Sequence, residues 1–248
     1  MKILFEDENI VVIDKPVGMV VHEGAGEIGE TVADWLVKKY PEVKELFAND
    51  GRPGIVHRLD KNTSGILICA KNPMTRSALQ SQFKERKIIK KYLTLVYGAI
   101  RPEEGTIETY LSRNPRNRQT MKVEAISFNL GDSENNSKHA ISDYKTLKHY
   151  QFKDKKELHN LSLVEITLHT GRMHQIRAQM KFLGHPVIGD PDYNIKPSRK
   201  ISNLLGLERQ FLHAYCNIFT HPITGETIEI KSNLPEDLSI IISKLTNK

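Results

Sequence analysis

The stretch Arg52–Gly65, RPGIVHRLDKNTSG, sets the tightest limit on what this chain can fold into. It crowds His57, Arg58, Asp60, Lys61, Asn62, Thr63 and Ser64 together, and the apolar run Ile66–Ala70 follows at once. A segment so rich in polar groups and turn formers reads as a loop, and the run after it as a buried strand. A loop at the end of a buried strand is where a rigid scaffold presents reactive groups.

The pattern on either side supplies the scaffold. Ile3–Phe5 and Ile10–Asp14 read as strands joined by a turn at Glu6–Asn9, and Lys15-Pro16-Val17-Gly18 breaks the pattern. Thr31 caps a helix to Tyr40, with Val32, Trp35, Leu36 and Tyr40 on one face and Pro41 as a stop. Strands are expected at Gly65–Lys71, Tyr92–Tyr97, Ser142–Tyr150, Leu161–Leu168, Leu212–Phe219 and Thr227–Lys231. Helices are expected from Pro73 to about Lys87, at Met173–Leu183 and at Leu238–Leu245. Asn129–Lys138 and Asp192–Asn203 read as loops. Strands outnumber helices without alternating with them. The expected fold is therefore α+β, with a mixed or antiparallel central sheet, flanking helices and a cleft. No stretch reads as a linker or repeat, so residues 1–248 are expected to form a single domain.

Composition narrows the functional classes. The net charge is +6 and the sequence pI about 9.1, which suits a polyanionic partner. Cys69 and Cys216 each sit in an apolar run and read as buried thiols in a reducing compartment. No CxxC or HExxH pattern suggests a metal. The acids in MKILFEDENIVVIDKP argue against a secretory leader, and no apolar run nears the ~20 residues that cross a bilayer. The expectation is a cytoplasmic protein, without membrane attachment.

Three further polar constellations stand out. Leu168–Gly189 reads LHTGRMHQIRAQMKFLGHPVIG, with Arg172, His174 and Arg177 at the start of a helix. Lys84–Tyr92, KERKIIKKY, is a basic run that ends on an aromatic at a strand start. Ser112–Lys122 carries Arg113, Arg116 and Arg118 in what reads as a loop, a spacing that suits phosphate contacts. Taken alone, a carboxylate such as Asp60 beside cations serves as a nucleophile or a general base, and the reaction stays open.

The Asp60 stretch closely resembles the catalytic motif of the RluA-type pseudouridine synthases, HRLD followed two residues later by TSG. The later segments TGR, HQIR, GHP and QFLHA resemble that family's motifs in its order, from Phe5 to Leu238. Met173 and Gln179 depart from it, at positions where Thr or Ser and His are common. The resemblance implies an RNA isomerase with Asp60 as catalytic aspartate, Tyr92 as active-site tyrosine and Arg177 as the aspartate's basic partner. It implies substrate contacts from His57, Arg58, Thr63, Arg113, Arg116, Arg118, Arg172, His174 and Leu212. It implies neither a metal nor a cofactor, since the reaction needs no redox change. The expected substrate is ribosomal RNA of the large subunit, with transfer RNA or a non-catalytic RNA-binding role as alternatives. A monomer without an N-terminal S4 RNA-binding domain is expected.

Overall fold

The computed structural model describes residues 1–23, 29–48, 50–126, 137–155 and 157–247. Its elements run β1 (Lys2–Glu6), β2 (Ile10–Lys15), α1 (Val32–Lys39), α2 (Pro41–Leu46), β3 (Ser64–Ala70), α3 (Pro73–Lys84), β4 (Ile89–Tyr97) and β5 (Glu104–Arg113). Then follow β6 (Met121–Ala125), β7 (Lys138–Lys153), β8 (Leu158–Leu168), α4 (Gln175–Phe182), α5 (Lys196–Leu205), β9 (Leu212–Thr220), β10 (Thr227–Lys231), α6 (Glu236–Ser243) and β11 (Thr246–Asn247). They fall into two compact units, Met1–Lys90 with His213–Asn233, and Lys91–Leu212 with Leu234–Lys248.

In the first unit the strand order is β1-β2-β3-β9, with β10 on β9. Pairing is antiparallel except for β3 with β9, which is parallel at Ser64↔His213 and Gly65↔Ala214. Every residue of β3 is buried, as its unbroken apolar run requires. Ile10 and Val12 of β2, Ile66, Ile68 and Ala70 of β3, Leu79 of α3, and Phe219 and Ile230 form one core cluster. The spacing of two along each strand puts these side chains on one face. Asn72 caps α3 by accepting the Thr75 amide at 2.9 Å, and Pro73 takes the first helical turn, where its missing N–H costs nothing. Thr31 and Asp34 cap α1 reciprocally.

In the second unit the order is β4-β8-β7-β5-β6, all antiparallel, with β11 on β7. Leu111 of β5, Ala140 of β7, Ala178 of α4 and Tyr193 share a core cluster. The α+β class with a mixed sheet is thus as expected, and the reason is the uninterrupted apolar β3 among alternating strands.

Several element expectations need correction. Asp192–Asn203 is not all loop, because α5 starts at Lys196. Only Ile201 and Leu205 of KPSRKISNLL carry buried apolar bulk at i, i+4 spacing, and small serines share the buried face, so its helical signal is thin. Ser112–Lys122 is not one loop but the end of a β5–β6 hairpin, in register from Arg113↔Met121. The alternation Ile107, Thr109, Leu111 in β5 is obscured by polar neighbours. Pro41 ends α1 but also opens α2. The expected loop Asn129–Lys138 lies outside the described residues up to 136, and Lys138 already begins β7. Among the described residues no helix is long and apolar enough to cross a membrane.

Candidate active site

The first unit builds the Asp60 loop from backbone contacts. The segment before it runs along β3: Ala70 N–H donates to the Gly54 carbonyl at 2.9 Å, and Ile55 bridges Cys69. His57 continues this, its Nε2 accepting the Ile68 amide at 2.9 Å while its ring lies 4.6 Å from that of Phe83. An acceptor nitrogen must be unprotonated. Burial, with a smaller contribution from Lys90, pulls the His57 pKa down to about 3, which agrees with that role. His57 is therefore a strut of the loop in this arrangement.

Side chains then alternate. Arg58 is exposed, Leu59 is buried as an apolar anchor, and Asp60 is half-buried. The Thr63 amide donates to the Asp60 carbonyl at 3.0 Å and closes the turn, with Thr63 itself buried. Ser64 Oγ and His213 Nδ1 lie 3.0 Å apart in the core. Gly65 has φ +114°, and a Cβ there would sit 2.2 Å from the Ala214 carbonyl oxygen. Only glycine allows that approach of β3 to β9.

A residue the sequence reading overlooked holds the turn from below. Lys15, at the end of β2, is fully buried. Its Nζ donates to the carbonyls of Pro16 at 2.9 Å, Met19 at 2.8 Å and Lys61 at 3.1 Å. The Gly18 amide donates to the same Lys61 carbonyl at 3.0 Å. Lys61 follows Asp60 directly, so this ammonium fixes the backbone next to the carboxylate. The signal was present as a lysine closing a strand before Pro-Val-Gly, where a buried cation needs carbonyl partners.

The second unit holds Tyr92 and Arg177. Tyr92 is buried in β4 opposite Ile166 of β8. Within the preceding basic run, Lys84, Arg86 and Lys87 are exposed. Lys91 pairs with Glu165 at 3.1 Å, so it is not simply solvated.

Arg177 is 3% exposed on α4. Its Nε and Nη2 donate to Asp190 at 2.7 and 2.9 Å, and Nη2 also to Asp192 at 2.6 Å. Asp190 Oδ1 accepts the Asp192 and Tyr193 amides as well, at 2.8 and 2.9 Å. Asp190 and Asp192 were missed in the sequence, although a motif arginine on a buried helix face requires a carboxylate nearby. The guanidinium lies 5.1 Å from the Tyr193 ring. His174, with φ +52°, precedes α4, and its Nδ1 lies 3.2 Å from the Tyr193 hydroxyl.

The remaining expected contacts are spread through the same unit. Arg172 donates Nε to the His139 carbonyl at 2.9 Å. Arg113 ends β5 and donates to the Arg118 carbonyl at 2.8 Å, and Arg116 and Arg118 are exposed in the hairpin turn. Leu212 is buried at the start of β9. Gln179, one of the two departures, is fully buried. Its amide nitrogen donates to Thr109 Oγ1 at 3.0 Å, and its oxygen accepts the Ser142 hydroxyl at 2.7 Å. It acts as an internal tie between α4, β5 and β7.

The histidines do not converge: His169 meets Asp143, His174 Tyr193, His185 the Tyr97 carbonyl, and His221 Asp7. Among the described residues one group could hold a cation, Asp154, Glu157 and His159, and the Lys200 ammonium already sits between its carboxylates at 2.5 and 3.0 Å.

Known proteins resemble this chain in sequence and in fold. The model of the RNA pseudouridylate synthase family matches residues 9–182. A protein of Chlorobaculum parvum named uncharacterized RNA pseudouridine synthase is 39% identical over 254 residues, covering 98% of this chain and 73% of that protein. A ribosomal large subunit pseudouridine synthase D of Zymomonas mobilis is 34% identical, covering 99% of this chain and 73% of the relative. The solved human RNA pseudouridylate synthase domain containing 1 superposes with a TM-score of 0.74 at 26% identity, over 100% of this chain and 88% of that one.

Proposed function

The chain belongs to the RNA pseudouridylate synthase family and is an RNA pseudouridine synthase, and we propose that it modifies uridine in large-subunit ribosomal RNA with Asp60 as the reacting carboxylate. In the reaction the N1–C1′ bond breaks, a C5–C1′ bond forms, C5 loses a proton and N1 gains one. Electrons and atoms balance without a cofactor. The target must first leave its stack, since its reacting atoms are otherwise covered.

One observation carries the assignment of Asp60. It is the acid in a turn whose backbone is fixed from both sides, by the Thr63 amide at the Asp60 carbonyl and by buried Lys15 at the Lys61 carbonyl. Preorganisation of that kind is what a nucleophile or base needs. Asp60 attacks C1′ or removes the C2′ proton. Tyr92, by the resemblance of its motif, holds the base and assists proton loss from C5, and Arg177 by the same resemblance is the basic partner of the carboxylate. Arg58, exposed two residues before Asp60, takes the place left by the flipped base. The ribosomal substrate is supported by the name of the Zymomonas mobilis relative.

The test is Asp60→Asn, which keeps shape and removes charge. Turnover should fall by several orders of magnitude while RNA binding persists. Retention of more than a few per cent of activity would remove Asp60 from the chemistry. Chemical mapping of pseudouridine across ribosomal and transfer RNA, with and without the gene, decides the substrate: loss of a transfer-RNA position alone would overturn the ribosomal assignment.

A further inference from the structure

Beside the Asp60 loop the first unit holds a cavity of about 350 Å³, and of its lining the isomerisation as described uses only Arg58, with His57 as a strut of the loop. Three guanidiniums line it, Arg52, Arg58 and Arg76, together with His22 and Gln80. A single carboxylate faces them, Asp50. Asp50 is already engaged: its Oδ1 accepts the Arg52 amide at 2.8 Å and Oδ2 pairs with Arg76. Those two contacts, the amide first, hold its carboxyl below the usual range, so it stays anionic against Arg76. Arg76 is further fixed over the Phe47 ring at 4.9 Å. The balance left to a ligand is positive, and Arg52 and Arg58 stand exposed at the rim. Ile55, which is buried, and Val56 add apolar surface.

That combination suits a phosphodiester with its sugar or base against an apolar wall. The volume lies in the ~300–1,000 Å³ range of small-ligand sites, enough for one nucleotide but not for a helix. Arg58 and Asp60 are two residues apart, at most about 7 Å along the backbone. A nucleotide held here is therefore a neighbour of the reacting one and not the target itself. We propose that the cavity is a subsite for an RNA backbone phosphate flanking the target uridine, with Arg52 as its ligand, Arg76 as the fixed cation behind it and Gln80 beside the base. The proposal rests on Asp60 as the reacting group. It assigns to Arg52, Arg76, His22 and Gln80 a part in substrate selection.

The experiment measures RNA affinity against salt for the full chain, using a folded ribosomal transcript. Arg52 is exposed, so Arg52→Ala should fold normally, which a melting curve checks. It should weaken binding about five- to tenfold and lower the slope of log affinity on log salt by ~0.7, the value for one phosphate on a single strand. Turnover at saturating RNA should stay within about twofold, so the effect falls on KM. Arg52→Lys should restore the slope, and Gln80→Ala should raise KM without moving it. Affinity and slope at wild-type values in Arg52→Ala would overturn the proposal. So would inorganic phosphate alone binding at the Arg52 site more tightly than the RNA does, which would mark a site for a free anion. If the wild type forms no pseudouridine but Arg52→Ala still lowers the slope, the subsite stands and the reaction assignment falls. If the wild type reacts and the slope does not move, the subsite falls alone.

Discussion

Replacement of Gly65 by alanine tests the contact that sets the Asp60 loop on its strand. The new Cβ would meet the Ala214 carbonyl oxygen at 2.2 Å, its amide nitrogen at 2.7 Å and its carbonyl carbon at 2.8 Å. All three are backbone atoms, so no side chain can turn aside, and β3 must move away from β9. Separation to ordinary contact, 3.4 Å or more, breaks the parallel pairing at Ser64↔His213 and Gly65↔Ala214. Two lost backbone bonds cost ~2 kcal/mol together. The φ of +114° adds ~1–3 kcal/mol for a residue with a Cβ. The sum is roughly 3–5 kcal/mol, a fall in Tm of roughly 6–20 °C for a chain of this size. Two companion variants separate the causes. Gly18 has φ +82° with nothing within 4 Å of an added methyl, so Gly18→Ala costs strain alone, about 1 kcal/mol. Gly51 has open space and no positive φ, so Gly51→Ala is neutral or stabilises slightly. Urea unfolding followed by Trp35 fluorescence gives the order. A Gly65→Ala protein as stable as Gly18→Ala would refute the reasoning, because the clash would then cost nothing.

Three further outcomes follow from single sites. Asp190→Asn keeps an oxygen for the Tyr193 and Asp192 amides but removes the charge facing buried Arg177. Asp192 remains as a partner, so the cost should be about 2–3 kcal/mol in urea, below the ~3–5 of a fully broken pair, and a change under ~0.5 kcal/mol would show the pair is not holding α4. His57 has a folded pKa of about 3 against an ordinary 6.5, so the unfolded chain binds the extra proton first. Its contribution to stability is complete above about pH 6.5 and is lost as pH falls toward 3, and His57→Gln should flatten that part of the stability–pH profile. An unchanged profile would mean that His57 titrates alike in both states. Arg116→Ala, at the exposed hairpin turn, should weaken RNA binding and lower its salt slope by ~0.7–0.9 with turnover at saturation kept, and unaltered binding would remove the hairpin from the RNA surface.

The sequence by itself determined the class of fold, the polar turn around Asp60 and the family. Those depend on local signals: the apolar run Ile66–Ala70 is short and bounded by turn formers as a buried strand is, strand spacing follows a period of two, and a dense polar motif keeps its order along the chain. It also placed most helices, α1 from its cap Thr31 and α3 from Pro73 in its first turn, while the Asn72 cap came only with the structure. Elements with few apolar residues, α5 and the β5–β6 hairpin, did not show, because small serines and threonines fill their buried positions. Tertiary structure decided what each charged group does. Lys15 is a buried tie because three carbonyls come to it, the last from Lys61, forty-six positions away. His57 is a neutral strut because the Ile68 amide reaches it, and Arg177 is paired because the chain turns back at Asp190. A charge states its partner only when folding brings the partner within ~3–4 Å, where Coulomb energy and hydrogen bonding exceed solvation, and no local pattern carries that distance.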